Sequence, residues 1–104
     1  MRTISIARHF SIYPGGRTPE DGPHSGEEFR NRYLLPIFDS DETVTIDFDG
    51  VRGYGSSFLE EAFGGLVRQG ISAKRIRTQL EFKSSKPSIT NEVNRYIDAA
   101  SSLS

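Results

Sequence analysis

The chain has 104 residues, 35% of them hydrophobic and 26% charged, and its thirteen Lys and Arg against fourteen Asp and Glu give a net charge of −1. That length suits a single domain over residues 1–104 with a modest core, and the near-neutral balance removes any bulk attraction to nucleic acid or to an anionic membrane. The absence of cysteine excludes disulfides, thiolate metal sites and cysteine nucleophiles. No segment is long and apolar enough for a signal peptide or a bilayer span, so the cytoplasm is the expected location.

In chain order, Ile4 and Ile6 alternate with Thr3 and Ser5 as a first strand with one buried face. A loop over 13–26 follows, with four glycines and three prolines, and it carries Arg17. A structureless loop of that length in so small a domain points to function or disorder. Ser25 and Glu28 then form a capping pair ahead of Phe29, Tyr33 and Leu34, a helix that Pro36 ends or bends.

Val44, Ile46 and Phe48 alternate with Thr43, Thr45 and Asp47 as a second strand, which runs into the loop DGVRGYGSS. The stripe Phe58, Leu59, Ala62, Phe63, Leu66 and Val67 marks the next helix, and Gly70 stops it. Gly64 and Gly65 within it cost about 1 kcal/mol each relative to Ala, which points to a second backbone passing close by. Ile76, Leu80 and Phe82 alternate with Arg75, Arg77, Gln79 and Glu81 as a third strand, with Arg75, Arg77 and Lys83 on its exposed face. A last helix begins after Pro87.

The order β-α-β-α-β-α argues for parallel strands, and alternation within each strand argues for helices on one face only. The expected fold class is α/β, a small two-layer sandwich with a mostly parallel sheet. The loops after the first two strands then converge on one edge, the usual ligand position in open α/β sheets. Each loop ends at a helix N-terminus and carries an arginine, Arg17 or Arg52, able to grip a carboxylate or phosphate. An anion- or partner-binding surface is expected from Arg17, Arg52, Gly53, Tyr54, Gly55, Ser56, Ser57 and Glu60. Ser57 with Glu60 reads as a second capping box, which leaves Ser56 as the serine not needed for the cap. Glu60 and Glu61 suit the positive end of a helix.

Nothing in the chain resembles a catalytic constellation. His9 and His24 lack an orienting partner, GYGSSF has Phe58 where a nucleophile elbow needs glycine, and neither a Walker A loop nor GxGxxG is present. The expectation is a protein without enzymatic activity, cofactor or metal. Small-ligand or anion binding, with an enzyme as its extreme case, is the competing reading for the loops around Arg17 and Arg52–Ser57.

TVTIDFDGVRGYGSSFLEEAFGGL resembles the central strand–loop–helix of STAS domains (sulfate transporter and anti-sigma factor antagonist). Together with PGGR and DGPHSGEEFR it is more closely similar to a STAS-like bacterial family of unknown function, over roughly residues 5–83. The resemblance implies a STAS-like fold and a regulatory, protein-binding role like that of anti-sigma factor antagonists. It also implies a partner of the histidine-kinase-like ATPase or anti-sigma-like kinase type, so ATP would belong to the partner. It puts Asp47 and Gly50 at the strand end, Ser56 at the phospho-acceptor position with Ser57 after it, and Leu59 inside the helix. Gly55 stands where that pattern has aspartate, and Phe58 where it has glycine.

Overall fold

The computed structural model describes residues 2–102. Three strands, β1 (Arg2–Ser5), β2 (Val44–Asp47) and β3 (Leu80–Lys83), form a parallel sheet in the order β1-β2-β3. The register sets Ile4 against Ile46 and Ile46 against Phe82. Strands adjacent in sequence are therefore adjacent in space, and the sheet winds in one direction. Ile4, Val44, Ile46 and Leu80 are buried on one face, whereas Thr3, Glu81 and Lys83 on the other are exposed. The period-two pattern thus resolves as expected into a two-layer α/β fold with the helices on the apolar face.

Ile6 is buried but begins a π-helical turn (Ile6–Phe10) rather than extending β1. Ser5 caps that turn by accepting the Arg8 N–H at 3.2 Å. Helix α1 covers 26–39, as an α-helical turn (Gly26–Phe29), a π turn (Arg30–Leu34) and a 3-10 turn (Leu35–Asp39). Ser25 accepts the Glu28 N–H at 3.2 Å as its cap, and Pro36 falls where the helix tightens before ending. Helix α2 covers 56–68 and also contains a π turn, Glu60–Gly64. Gly70 ends it in the left-handed region at φ 99°.

The third strand is shorter than its alternation suggests. Residues Ala73–Gln79 form helix α3, and only Leu80–Lys83 is extended. Ser72 accepts the Arg75 N–H at 3.1 Å as N-cap, and Thr78 Oγ1 donates to the Lys74 carbonyl four residues back. Arg75 and Arg77 therefore do not line a strand. Arg77 reaches Asp98 at 2.9 Å on helix α4 (Pro87–Ser102), and Arg75 donates to the Phe38 carbonyl. Gln79 is 5% exposed, and its amide nitrogen faces the carbonyls of Ile37, Ser40 and Glu42 at 3.2, 2.9 and 3.0 Å. It staples α1, the loop that leads into β2 and α3 at the amino edge of the sheet.

The glycines inside α2 face a side chain, not a second backbone. A Cβ on Gly65 would collide with the guanidinium of Arg30, and one on Gly64 with the Glu60 carboxylate. The close backbone approach is at Gly26. There a Cβ would stand 2.6 Å from the Phe58 carbonyl oxygen and 3.1 Å from the Ala62 nitrogen, so α1 and α2 touch main chain to main chain.

Alanine at Gly26 gains helix propensity worth roughly 1 kcal/mol, but the clash forces the helices apart. The steric effect dominates because backbone atoms, not flexible side-chain ends, must move. Gly26→Ala is expected to lower stability by about 1–3 kcal/mol, read from the urea midpoint at unchanged slope.

Candidate functional site

The carboxyl ends of all three strands share one edge. At that edge β2 leads into the loop over 48–55, which is tied down at four points. Asp47 Oδ1 accepts the Asp49 N–H at 2.9 Å, and Asp49 Oδ1 accepts the N–H and hydroxyl of Ser85 at 2.8 and 2.9 Å. The Arg52 N–H donates to the Ile12 carbonyl at 2.8 Å, joining this loop to the one after β1. The Tyr54 hydroxyl donates to the Phe48 carbonyl at 2.7 Å, while its ring packs on Phe58. Gly50, at φ 89°, allows the turn and brings the loop against Ala7.

These contacts set the charge states. The Ser85 N–H and then its hydroxyl hold the Asp49 carboxyl below its ordinary value. Burial, then Asp47 and Asp49, push the Tyr54 phenol well above its own, so it stays a hydrogen-bond donor at neutral pH.

The start of α2 differs from the expected capping box. Gly55 is the N-cap, Ser56 is the first helical residue, and no side chain caps the helix. Glu60 is not free to close a box with Ser57. Its carboxylate is held by Arg68 at 2.7 and 3.0 Å and by Arg17 at 2.5 Å. Charge-assisted bonds to two guanidinium groups outweigh one bond to a backbone N–H. Neither serine is consumed in a cap. Ser56 is exposed and lies near Tyr96, whose own hydroxyl donates to Glu92 at 2.6 Å. That Glu92 contact is the main reason the Tyr96 phenol is raised.

Arg17 and Arg52 do not act together. Arg17 pairs with Glu60 and, at 3.4 Å, with Glu61, in a chain that continues to Arg68 and to buried Arg30. Arg30 Nη1 donates to Glu61 Oε2 at 2.6 Å and to the Glu61 carbonyl at 3.1 Å. Arg17 thus fastens the 13–26 loop to α2. That loop is ordered by its own bonds, from the Gly15 N–H to the His24 carbonyl and from the Gly26 N–H to the Gly16 carbonyl, both 2.9 Å. Arg52 is exposed, with no ion-pair partner for its guanidinium among the described residues.

Beside Gly53 and Tyr54 lies a cleft of about 310 Å³, lined by Phe48–Val51 of the β2 loop and by Ser85, Lys86, Ile89 and Glu92 after β3. Sequence reasoning overlooked the second set. The parallel topology was itself the missed signal, because it brings the loop after β3 to the same edge as the other two. A second hollow of about 330 Å³ lies near Ser72–Gln79, away from these loops. The histidines are accounted for locally: His9 Nδ1 accepts the Ser5 N–H at 2.9 Å, and the His24 ring meets Phe10 edge-on. Among the described residues no group of three or more His, Asp and Glu gathers as a metal site, and no helix is long and apolar enough to cross a membrane.

A family model described as STAS-like domain of unknown function (DUF4325) matches residues 25–90, from the cap of α1 to the first turn of α4. No curated protein and no solved structure matches the chain.

Arg68 first, then Arg17, hold the Glu60 carboxyl below its ordinary value. A group depressed in the folded state contributes stability that is present above its unfolded pKa, about 4.3, and lost as pH falls through the folded value. Glu60→Gln is therefore expected to narrow the stability difference between pH 7 and pH 3, measured by urea unfolding at both. An unchanged difference would mean that this ion pair adds nothing to acid sensitivity.

Proposed function

The chain belongs to the STAS-like family of domains of unknown function, and we propose that it is a regulatory protein-binding module whose working surface is the edge bearing Arg52–Ser57. The observation that carries this reading is the exposed Ser56 at the first position of α2, released from capping by Gly55 and borne on a loop tied at both ends. Order matters because a partner meets a surface already in its bound shape and loses little conformational entropy on docking.

Ser56 is the proposed phospho-acceptor, with Ser57 as the neighbouring candidate. The partner is a histidine-kinase-like ATPase or anti-sigma-like kinase that brings its own ATP. Ser56 Oγ attacks the γ-phosphorus, the bond to the β-phosphate oxygen breaks, ADP leaves, and the hydroxyl proton passes to a base on the partner. The product adds nearly two negative charges at a helix N-terminus, where backbone N–H groups favour them. It also puts them beside the Tyr96–Glu92 pair, within a helical turn of Glu60. The cost of desolvating the phosphate and its clash with a partner surface fitted to the bare hydroxyl oppose re-docking of the modified surface, so phosphorylation switches binding off.

The cleft favours a second reading, small-ligand binding at the same edge. Arg17 is neutralised by Glu60 and Glu61, so an anion there would depend on Arg52 and Lys86. Titration with phosphate and with ATP at fixed ionic strength, followed by thermal unfolding, detects selective binding to the folded state as a raised midpoint.

A phosphosite map of the protein purified from its native cells tests the first reading. One phosphate on Ser56, lost in Ser56→Ala, is the expected result. Unmodified protein across several growth conditions, or phosphate on another residue alone, removes Ser56 from the proposed switch.

A further inference from the structure

Among the described residues Ile12 and Tyr13 are the exposed large hydrophobics, at 39% and 65%. They are adjacent, and their backbone is fixed. The Ile12 carbonyl accepts the Arg52 N–H at 2.8 Å, the Tyr13 N–H donates to Ser11 Oγ at 2.9 Å, and the Ser11 N–H donates to the Ile6 carbonyl at 2.8 Å. The segment ends at buried Pro14. An aromatic side chain held out from an ordered backbone loses little entropy on binding, and tyrosine is enriched among the residues that dominate interface energetics.

Charge tells what would cover it. Arg2, Arg17, Arg30, Arg32, Arg68 and Arg77 each lie against a carboxylate of the domain. Arg8, Arg52, Arg75 and Arg95 are exposed and have no such partner among the described residues. Arg75 is taken up by the Phe38 carbonyl and Arg95 lies on α4, whereas Arg8 and Arg52 belong to the strips joined to this segment, since Ala7 meets Gly50 and the Ile12 carbonyl accepts the Arg52 N–H. Asp47 and Asp49 at the same strand end are engaged by Lys83 at 3.9 Å and by Ser85 at 2.8 and 2.9 Å, so the charges left without a partner on the strips joined to Tyr13 are those of Arg8 and Arg52. Two copies meeting through this edge would set arginines against arginines, which disfavours self-association.

We propose that Ile12 and Tyr13, flanked by Arg8 and Arg52, form a knob that docks into an apolar pocket rimmed by Asp or Glu on a partner protein. This rests on the protein-binding reading above and names the chemistry of the partner's surface, but it does not depend on modification of Ser56. The apolar pair supplies the buried area, and the two arginines fix orientation and speed encounter.

The test replaces Tyr13 in the full chain with the photoreactive p-benzoylphenylalanine in its native cells, with the same group at exposed Asn91 on α4 as control. A protein adduct specific to position 13 is expected, with the cross-linked peptide of the partner carrying Asp or Glu beside apolar residues. Arg52→Glu, with an unchanged urea midpoint, should reduce that adduct about tenfold or more, and reversing the partner's carboxylate to Lys should restore it. Adducts confined to a second copy of the chain or to nucleic acid overturn the proposal. So do a mapped peptide without carboxylates, insensitivity to Arg52→Glu, or no yield above the Asn91 control. A Ser56 found unmodified leaves these outcomes as they are, and failure of the knob leaves the phosphosite map as it is, so the two readings fail separately.

Discussion

The buried guanidinium of Arg30 sets how α1 and α2 lie against each other, and through them the shape of the whole carboxyl edge. Removing such a cation from water is costly unless its charge and donors are met. Here Glu61 meets them twice, by carboxylate and by main-chain carbonyl, with Asn31 taking the Nε proton. The room for it comes from Gly65, whose missing side chain leaves the space that the guanidinium fills. At the other end of the same contact, Gly26 lets the two main chains touch. Because Glu60 and Glu61 also hold Arg17, the helix pair and the long loop after β1 form one ion-paired unit rather than a core with a loose strap.

Aromatic rings extend that unit inward. Phe10 from the first loop meets Phe29 of α1 and Phe58 of α2, and Tyr54 of the second loop meets Phe58 and Phe48. Phe48 and Phe63 in turn meet Phe82 of β3. Both loops of the candidate surface are therefore rooted in the core by rings as well as by hydrogen bonds. Such an edge has a defined shape, and the lines of contact from it lead through packed side chains to the far strand.

The parts of this arrangement legible in the sequence are those governed by local periodicity and punctuation. β1, β2, the Ser25 cap, the Gly70 stop and the start at Pro87 all follow from alternation, capping chemistry or the limits of proline and glycine. Residues 75–82 were ambiguous because Ile76 and Leu80 are four apart and also share a parity, so they satisfy a helix and a strand equally. Ser72, three residues before Arg75, was the signal that favoured the helix. The Ser57–Glu60 pattern was sound as a local rule and was overridden from a distance, since Arg17 and Arg68 took the carboxylate. The reason for Gly65 was invisible for the same cause: its occupant, Arg30, lies on a different helix. Sequence pointed to the β2 loop and to Ser56, but not to the exposed Tyr13 or to the residues after β3 that line the cleft.

The staple at the amino edge distributes vulnerability unevenly. Gln79 binds the carbonyls of Ile37, Ser40 and Glu42, and a carbonyl is common to every amino acid. For this interaction the side chains of those three positions are interchangeable, provided the backbone keeps its course. Gln79 has no such latitude. Glutamate would set an oxygen against three oxygens, and leucine would leave buried acceptors without a donor. The two amide hydrogens shared among these three carbonyls thus depend on the identity of one residue, whereas Ser40 and Glu42 contribute only their main chain to it.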